Sequence, residues 1–219
     1  MITLDKRLAA CASLVRGNCV ADIGTDHAYI PIFLSERDMC TRVIASDVNE
    51  GPVRSAREHI AEAGLGSRIE VIRADGLDDH AFDGCDCVII AGMGGELIVR
   101  ILEQSSLFGR EGVTFVLQPM TKAECVRTFL WDSGYTIEDD ICILDGGHIY
   151  QIMRTAKAQD KTEYTECEAL VGKKRTDEGY RALVRDKIEK LGKRTNGLES
   201  AGIDASHERK LQEELLRLL

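Results

Sequence analysis

Apolar residues recur along this chain at two spacings, and the switches between them mark out its elements. Leu4, Leu8, Cys11, Leu14 and Val15 fall three or four residues apart, which predicts a leading helix that Gly17 stops. Val20, Ala21 and Ile23 give a short strand over 19–23 that breaks at Gly24 and enters a helix carrying Ile30, Ile32, Phe33 and Leu34. A second strand is expected over 43–47, followed by a helix with Pro52 in its first turn that runs toward Gly64. Ile69 to Ile72 alternates and predicts a third strand ending at Ala74-Asp75-Gly76. Cys87 to Ala91 is a continuous apolar run, as a strand buried on both faces should be. It is expected to stop at Gly92-Met93-Gly94-Gly95, with Leu97, Ile98, Ile101 and Leu102 marking the next helix. A fifth strand over 113–117 ends at Gln118-Pro119, and the helix after it closes at Gly134. Ile137 to Leu144 and Ile149 to Met153 flank Asp145-Gly146-Gly147-His148, a hairpin signal. Five strand–helix units ending in an antiparallel hairpin predict an α/β, doubly wound sheet.

Past residue 156 the pattern changes. Tyr180, Val184, Ile188, Leu191 and Leu198 recur among charged residues, and so do Leu211, Leu215 and Leu218. Asn196-Gly197 and the stretch 202–206 read as breaks. Two domains are therefore expected, residues 1–156 and 157–219, the second a helical, coiled-coil-like hairpin beginning near residue 160. It is either a strut covering an edge of the first domain or an arm that holds a substrate. Periodicity leaves both open.

Composition narrows the class without choosing a partner. The 219 residues, 44% hydrophobic, suffice for one α/β domain and an appendage. No run approaches the roughly 18 apolar residues of a membrane span, and the start lacks a signal-peptide pattern, so a cytoplasmic protein is expected. Of eight cysteines, six sit in or beside apolar runs and none pairs at zinc spacing, which predicts buried reduced thiols and no metal. The net charge of −9 is uneven. Residues 1–150 hold 13 Lys and Arg against 24 Asp and Glu, a net of −11, while 151–219 hold 15 against 13, a net of +2. Indiscriminate nucleic-acid binding is disfavoured, yet the tail is relatively basic.

The chemistry concentrates at strand ends. A strand–glycine–helix corner near the start of an α/β chain is where such sheets bind an adenosine-bearing cofactor. Here Asp22-Ile23-Gly24-Thr25-Asp26-His27-Ala28-Tyr29 lacks the second and third glycines that a pyrophosphate requires. Asp26 beside a pyrophosphate would repel it, whereas beside an ammonium it attracts, so S-adenosyl-L-methionine is the expected cofactor. Asp47, at the end of the second strand, offers two acceptor oxygens to ribose hydroxyls, or else caps the next helix as Asn49 could. Asp75 can accept from an adenine amine while Gly76 lets the ring approach; an ordinary turn is the alternative. Three glycines in Gly92-Met93-Gly94-Gly95 favour close backbone approach at the sheet's switch point. A phosphate at the helix start is the other reading, weakened because no Lys-Ser/Thr follows. His27 and Tyr29 flank the corner as structural residues or as neighbours of cofactor and base, and Gln118 sits on the same edge with an amide suited to a base.

Taken together, DIGTDHAYIP, ASDVNEGP, DGL, IAGMGGELI and LQP resemble the bacterial tRNA adenine-22 N1-methyltransferase family, the TrmK family, from roughly Leu4 to Met153. The resemblance implies a class I, Rossmann-like methyltransferase domain followed by a helical, coiled-coil-like domain that helps hold tRNA. It implies cofactor contacts at Gly24, Asp26, His27, Asp47, Asp75, Gly76, Gly92 and Met93, to which Asp22, Val48, Asn49, Leu77 and Ala91 are added as strand-end neighbours. Asp26, His27 and Tyr29 are the catalytic candidates, and Gly94, Gly95 and Gln118 the substrate candidates. Where the family often carries Asn after LQP, this chain has Met120. The partners expected are tRNA, no membrane and no metal, with a monomer favoured. A small-molecule methyltransferase, or a non-catalytic cofactor-binding module whose tail docks a protein, are the competing readings.

Overall fold

The computed structural model describes residues 1–158 and 161–219. Strands β1 (Cys19–Ile23), β2 (Arg42–Asp47), β3 (Ile69–Arg73), β4 (Cys87–Gly94), β5 (Thr114–Thr121), β6 (Tyr135–Asp145) and β7 (His148–Lys157) form one sheet in the order β3-β2-β1-β4-β5-β7-β6. The first five strands run parallel, and β7 inserts antiparallel between β5 and β6. The doubly wound sheet with a terminal hairpin is thus observed. Its turn places Gly146 at φ 54° and Gly147 at φ 78°, the two positive values that a tight hairpin twisting with its strands needs.

Alternation along each strand sends side chains to opposite faces and builds two core layers. Val20, Val43, Ala45 and Ile89 pack with α1 (Lys6–Ser13), α2 (Tyr29–Glu36) and α3 (Glu50–Glu62). Ala21, Ile44, Val88 and Ile90 pack with α4 (Gly95–Glu103) and α5 (Ala123–Asp132). Asp5 starts α1 by accepting from the Leu8 amide at 2.7 Å, so this helix is anchored where it passes the sheet's carboxyl edge. Five of the eight free cysteines are buried, and Cys19, Cys125 and Cys142 are half-buried. Burial pushes the Cys11 thiol up to about 12 and the Cys40 thiol to about 11, so both stay protonated as core fillers.

Three expected boundaries are corrected. The glycine run does not end β4: Met93 pairs with Pro119 and Gly94 with Thr121, with register shifts on either side of Met93. Glycines without Cβ atoms accommodate such bulges, so the strand bends onward instead of stopping. β5 correspondingly runs to Thr121 instead of ending at Leu117. Asn196-Gly197 is no break either, because α7 (Glu178–Ser200) passes straight through it. The stop lies at Gly202, where φ is 71° and the amides of Gly202 and Ile203 close onto Glu199 and Leu198 carbonyls at 2.9 Å each.

The tail begins with a short helix, α6 (Glu166–Val171), whose Thr165 and Glu168 form a reciprocal capping box. The start expected near residue 160 falls at positions 159 and 160, outside the described residues. α7 and α8 (Ser206–Leu216) pair as a helical hairpin through Leu183, Val184, Leu211 and Leu215, with Cys142 and Ile149 of the sheet hairpin packed against them. A fully buried Arg127 on α5 fastens this unit to the sheet. It donates twice to Asp140 of β6 at 3.1 Å, and once each to Gln151 at 2.9 Å and the Ala169 carbonyl at 3.5 Å. Among the described residues no helix is long and apolar enough to cross a membrane.

Candidate active site

The carboxyl ends of β1, β2 and β4 open onto a cavity of about 710 Å³. Its wall holds Asp22, Gly24, Thr25, Asp26, His27, Tyr29, Asp47, Ala91, Gly92 and Met93, closed on one side by Thr3 to Asp5, Arg7 and Leu8. The corner is built by strand-end bonds: the Gly24 and Thr25 amides both donate to the Ser46 carbonyl, at 2.8 and 2.9 Å. Gly24 sits at φ 75°, a left-handed conformation that favours glycine, and the Met93 methyl folds over the turn, 2.3 Å from where a Cβ would lie. Asp26 and Ala28 also take positive φ, 47° and 56°, a conformation that costs a non-glycine residue about 1 kcal/mol or more. Such local strain clusters at functional corners.

Four carboxylates line this cavity, and each is held differently. Asp22 is 5% exposed and accepts only the Thr25 hydroxyl at 2.7 Å. Desolvation pushes its carboxyl up to about 6, the hydroxyl lowering it only in part. Asp47 accepts from the Asn49 amide at 2.8 Å with one oxygen and leaves the other for a ligand. Asp26 faces water, 3.6 Å from His27 Nε2, and Asp5 is engaged as the cap of α1. Arg7 is the cation of the lining, and its guanidinium is tied to Gln118 at 2.8 Å.

At the mouth three rings gather. His27 stacks on Tyr29 with centroids 5.3 Å apart, and Tyr29 stacks on His59 of α3 at 6.1 Å. His27 Nδ1 bonds the Ser55 hydroxyl at 2.8 Å, while His59 Nδ1 donates to the His27 carbonyl at 3.1 Å. The His27 ring is therefore fixed from α3 and aimed along the cavity edge.

The family described as "Methyltransferase domain" matches residues 4–153. The tRNA (adenine(22)-N(1))-methyltransferase of Bacillus subtilis is 35% identical over 163 residues, 73% of this chain and 67% of that protein. The crystal structure of the Bacillus subtilis m1A22 tRNA methyltransferase TrmK superposes with TM-score 0.83 at 27% identity, covering 99% of this chain and 96% of the other. The chain belongs to the TrmK family. A further structure, Sp1610 of Streptococcus pneumoniae in complex with S-adenosyl-L-methionine, gives TM-score 0.85 at 30% identity, covering 98% of this chain and 100% of that one.

S-adenosyl-L-methionine is accordingly the cofactor of this TrmK-family chain, and the cavity has the chemistry to hold it. A buried carboxylate with one hydroxyl donor and, among the described residues, no cation suits an ammonium. Asp47 keeps a free acceptor oxygen, and the position of a Cβ on Gly92 is open, the Arg7 guanidinium lying 3.6 Å from it. Among the described residues no group of three or more His, Cys, Asp or Glu is placed to hold a metal ion.

The expected site residues divide into three sets, with Gly94 apart. Asp22, Gly24, Asp26, His27, Tyr29, Asp47, Ala91, Gly92 and Met93 are brought together around the cavity. Val48, Asn49, Asp75 and Gly76 stand beyond its lining at the ends of β2 and β3, where the Ala74 amide ties the two strands by donating to the Asp47 carbonyl at 3.2 Å. Three residues are corrected. Leu77 is a core side chain, 5% exposed, packed in the same layer as Ile101. Gly95 is buried, and a Cβ there would meet the Lys122 and Thr121 carbonyls at 2.4 and 2.9 Å. Its missing side chain lets α4 touch backbone; it does not admit a substrate. Gln118 is fully buried with its oxygen accepting from Arg7 and, at 3.1 Å, from the Gly92 amide, and its nitrogen donating to the Pro119 carbonyl at 3.1 Å. No edge of that amide is left for a base; it braces the Gly92 bulge. Gly94 is half-buried at the start of α4 near Thr121.

Arg7, Ser55 and His59 went unseen in the sequence. Asp5 followed by an apolar helix is a readable cap, but nothing local says that Arg7 reaches 111 residues along the chain to Gln118.

Proposed function

We propose that the protein transfers the methyl group of S-adenosyl-L-methionine to N1 of adenine 22 in tRNA, the reaction for which its Bacillus subtilis relative is named. The observation that carries this reading is the buried, cation-free Asp22 carboxylate beneath the glycine corner, in a chain that aligns with TrmK over 99% of its length. Asp22 takes the ammonium of the methionine tail, a role its burial fits better than that of solvent-facing Asp26. Asp47 accepts from the ribose hydroxyls, and Asp75 with Gly76 receives the adenine end at the neighbouring strand.

Bound there, the cofactor supplies an electrophilic methyl group on a cationic sulfur. N1 of adenine has an in-plane lone pair that needs no deprotonation, so the chain has no strong base to provide. Its residues act by holding the base in line and by excluding water. Tyr29 and His27 offer a stacked face at the mouth for a base that has left its own stack. The product ring is cationic, and Asp26 at the same edge supplies the compensating carboxylate.

The division into a methyltransferase domain, residues 1–156, and a helical domain, 157–219, belongs to the same proposal. It is supported by the separate apolar cluster of α6 to α8. Incubation with labelled cofactor and a pool of unmodified tRNAs tests the reading. No label in any tRNA with adenine at position 22 would sink it.

A further inference from the structure

A second cavity, of about 410 Å³, lies where the β5–α5 corner, the β6–β7 turn and α7 meet. It is within the ~300–1,000 Å³ range of small-ligand sites. Lys122, Lys187, Lys190 and His148 line it with two carboxylates, Glu124 and Asp186; Lys122 pairs with Glu96 at 2.5 Å, Lys187 with Glu124 at 3.2 Å and Lys190 with Asp186 at 2.8 Å, so three lysines are gathered on a chain of net charge −9. Lys122 and Lys190 are 54% and 68% exposed, so each can exchange its carboxylate partner for a phosphate at little cost in desolvation.

Tyr150 lines the second cavity and packs against the core layer of α1, the helix that carries Arg7 of the first. The Arg7 guanidinium, in the lining of the first, lies 5.8 Å from its ring centroid, while the His148 ring lies at 6.1 Å on the side of the second. Gln118, which holds Arg7, leads directly into Pro119 and Met120 of the second lining. Arg7 thus links the carboxylate-lined cavity to the lysine-lined one, through its contact with Tyr150 and its bond to Gln118. A chain of units carrying bases and phosphates can present a base to the first cavity and a phosphate to the lysines of the second. A small metabolite in the first cavity has no use for the second.

We propose that the second cavity is a nucleotide subsite, taking an unstacked base of the RNA substrate against Tyr150 and His148 and its phosphate against Lys122, Lys187 and Lys190. This rests on the tRNA reading above and gives the tail a task, because α7 supplies Lys187 and Lys190. Base–aromatic stacking and phosphate pairing set the expected size of the effect.

The test is methylation kinetics and tRNA binding across a salt series, with cofactor affinity measured by calorimetry. Tyr150→Ala raises the KM for tRNA about tenfold and leaves cofactor affinity unchanged, and Tyr150→Phe, which keeps the ring face, restores it. Lys122→Ala and Lys190→Ala, both at exposed positions, each reduce the salt slope of tRNA binding by about one. Wild-type methylation with tRNA affinity and salt slope unchanged in all three alanine variants overturns the subsite alone. Parallel loss of cofactor and tRNA affinity also overturns it, as a structural effect. A wild type that methylates no tRNA strikes the tRNA reading itself.

Discussion

The two cavities differ most in charge. The first presents Asp5, Asp22, Asp26 and Asp47 with one tethered arginine, and the second presents three lysines and a histidine with two carboxylates. The first is built mainly from parallel strand ends and their corners, the second from the antiparallel hairpin and a helix of the tail. The difference teaches how an acidic chain can serve a polyanion. The acid is spent where a cationic cofactor belongs, and the lysines are gathered in the second cavity. Depth differs as well. Asp22 is buried and rigidly bonded, whereas Lys122 and Lys190 stand in water, which fits a small ligand gripped by geometry and a large one gathered by charge.

The comparison breaks most severely if the tail is loosened. Arg127→Ala removes a fully buried cation and leaves Asp140 facing fewer donors, and is expected to cost about 3–5 kcal/mol by chemical denaturation. Under conditions where the variant remains folded, tRNA affinity should fall well before cofactor affinity, because the second cavity alone depends on the position of α7. Next in size, Asp47→Ala should weaken cofactor binding about 100-fold by calorimetry, a loss of charge-assisted hydrogen bonds, with the cofactor-free melting temperature little changed. Unchanged affinity would remove Asp47 from the ribose role.

Asp22→Asn sharpens the first cavity through pH. The folded carboxyl titrates near 6, above its ordinary 3.8, so above pH 6 the cofactor-free fold carries a buried charge that disfavours it. That penalty is complete above the folded value and fades as pH falls toward the ordinary one. Asp22→Asn should therefore stabilise the cofactor-free protein at pH 8 by about 1–3 kcal/mol, with the gain vanishing near pH 4, while it weakens cofactor binding. A variant equally stable at both pH values contradicts the account. The smallest effect is a control remote from both ligands. A Cβ at Gly197 in α7 meets nothing, so Gly197→Ala should add about 0.5–1 kcal/mol of stability and change neither affinity.

The contrast also marks what the sequence disclosed. The first cavity was legible because its residues sit at strand ends, where apolar runs stop at Gly24, Asp47 and Gly92. The hairpin was legible from Gly146-Gly147. The second cavity was not, since it arises only when three elements distant in sequence meet, and no local pattern places α7 against the β6–β7 hairpin. Gln118 and Gly95 were misread for a related reason. An amide and a glycine at a strand end look like ligand contacts until Arg7 and the Lys122 carbonyl, brought in by packing, are seen to use them. Asn196-Gly197 looked like a break because local propensity favours one, yet pairing with α8 carries the helix through it.

The most direct measurement of the central claim compares one unmodified tRNA with the same tRNA carrying guanine at position 22, each incubated with labelled S-adenosyl-L-methionine. The account predicts one methyl group per molecule in the first, recovered as 1-methyladenosine at position 22, and none in the second. Equal incorporation into both, or a methyl group on another atom, would contradict it.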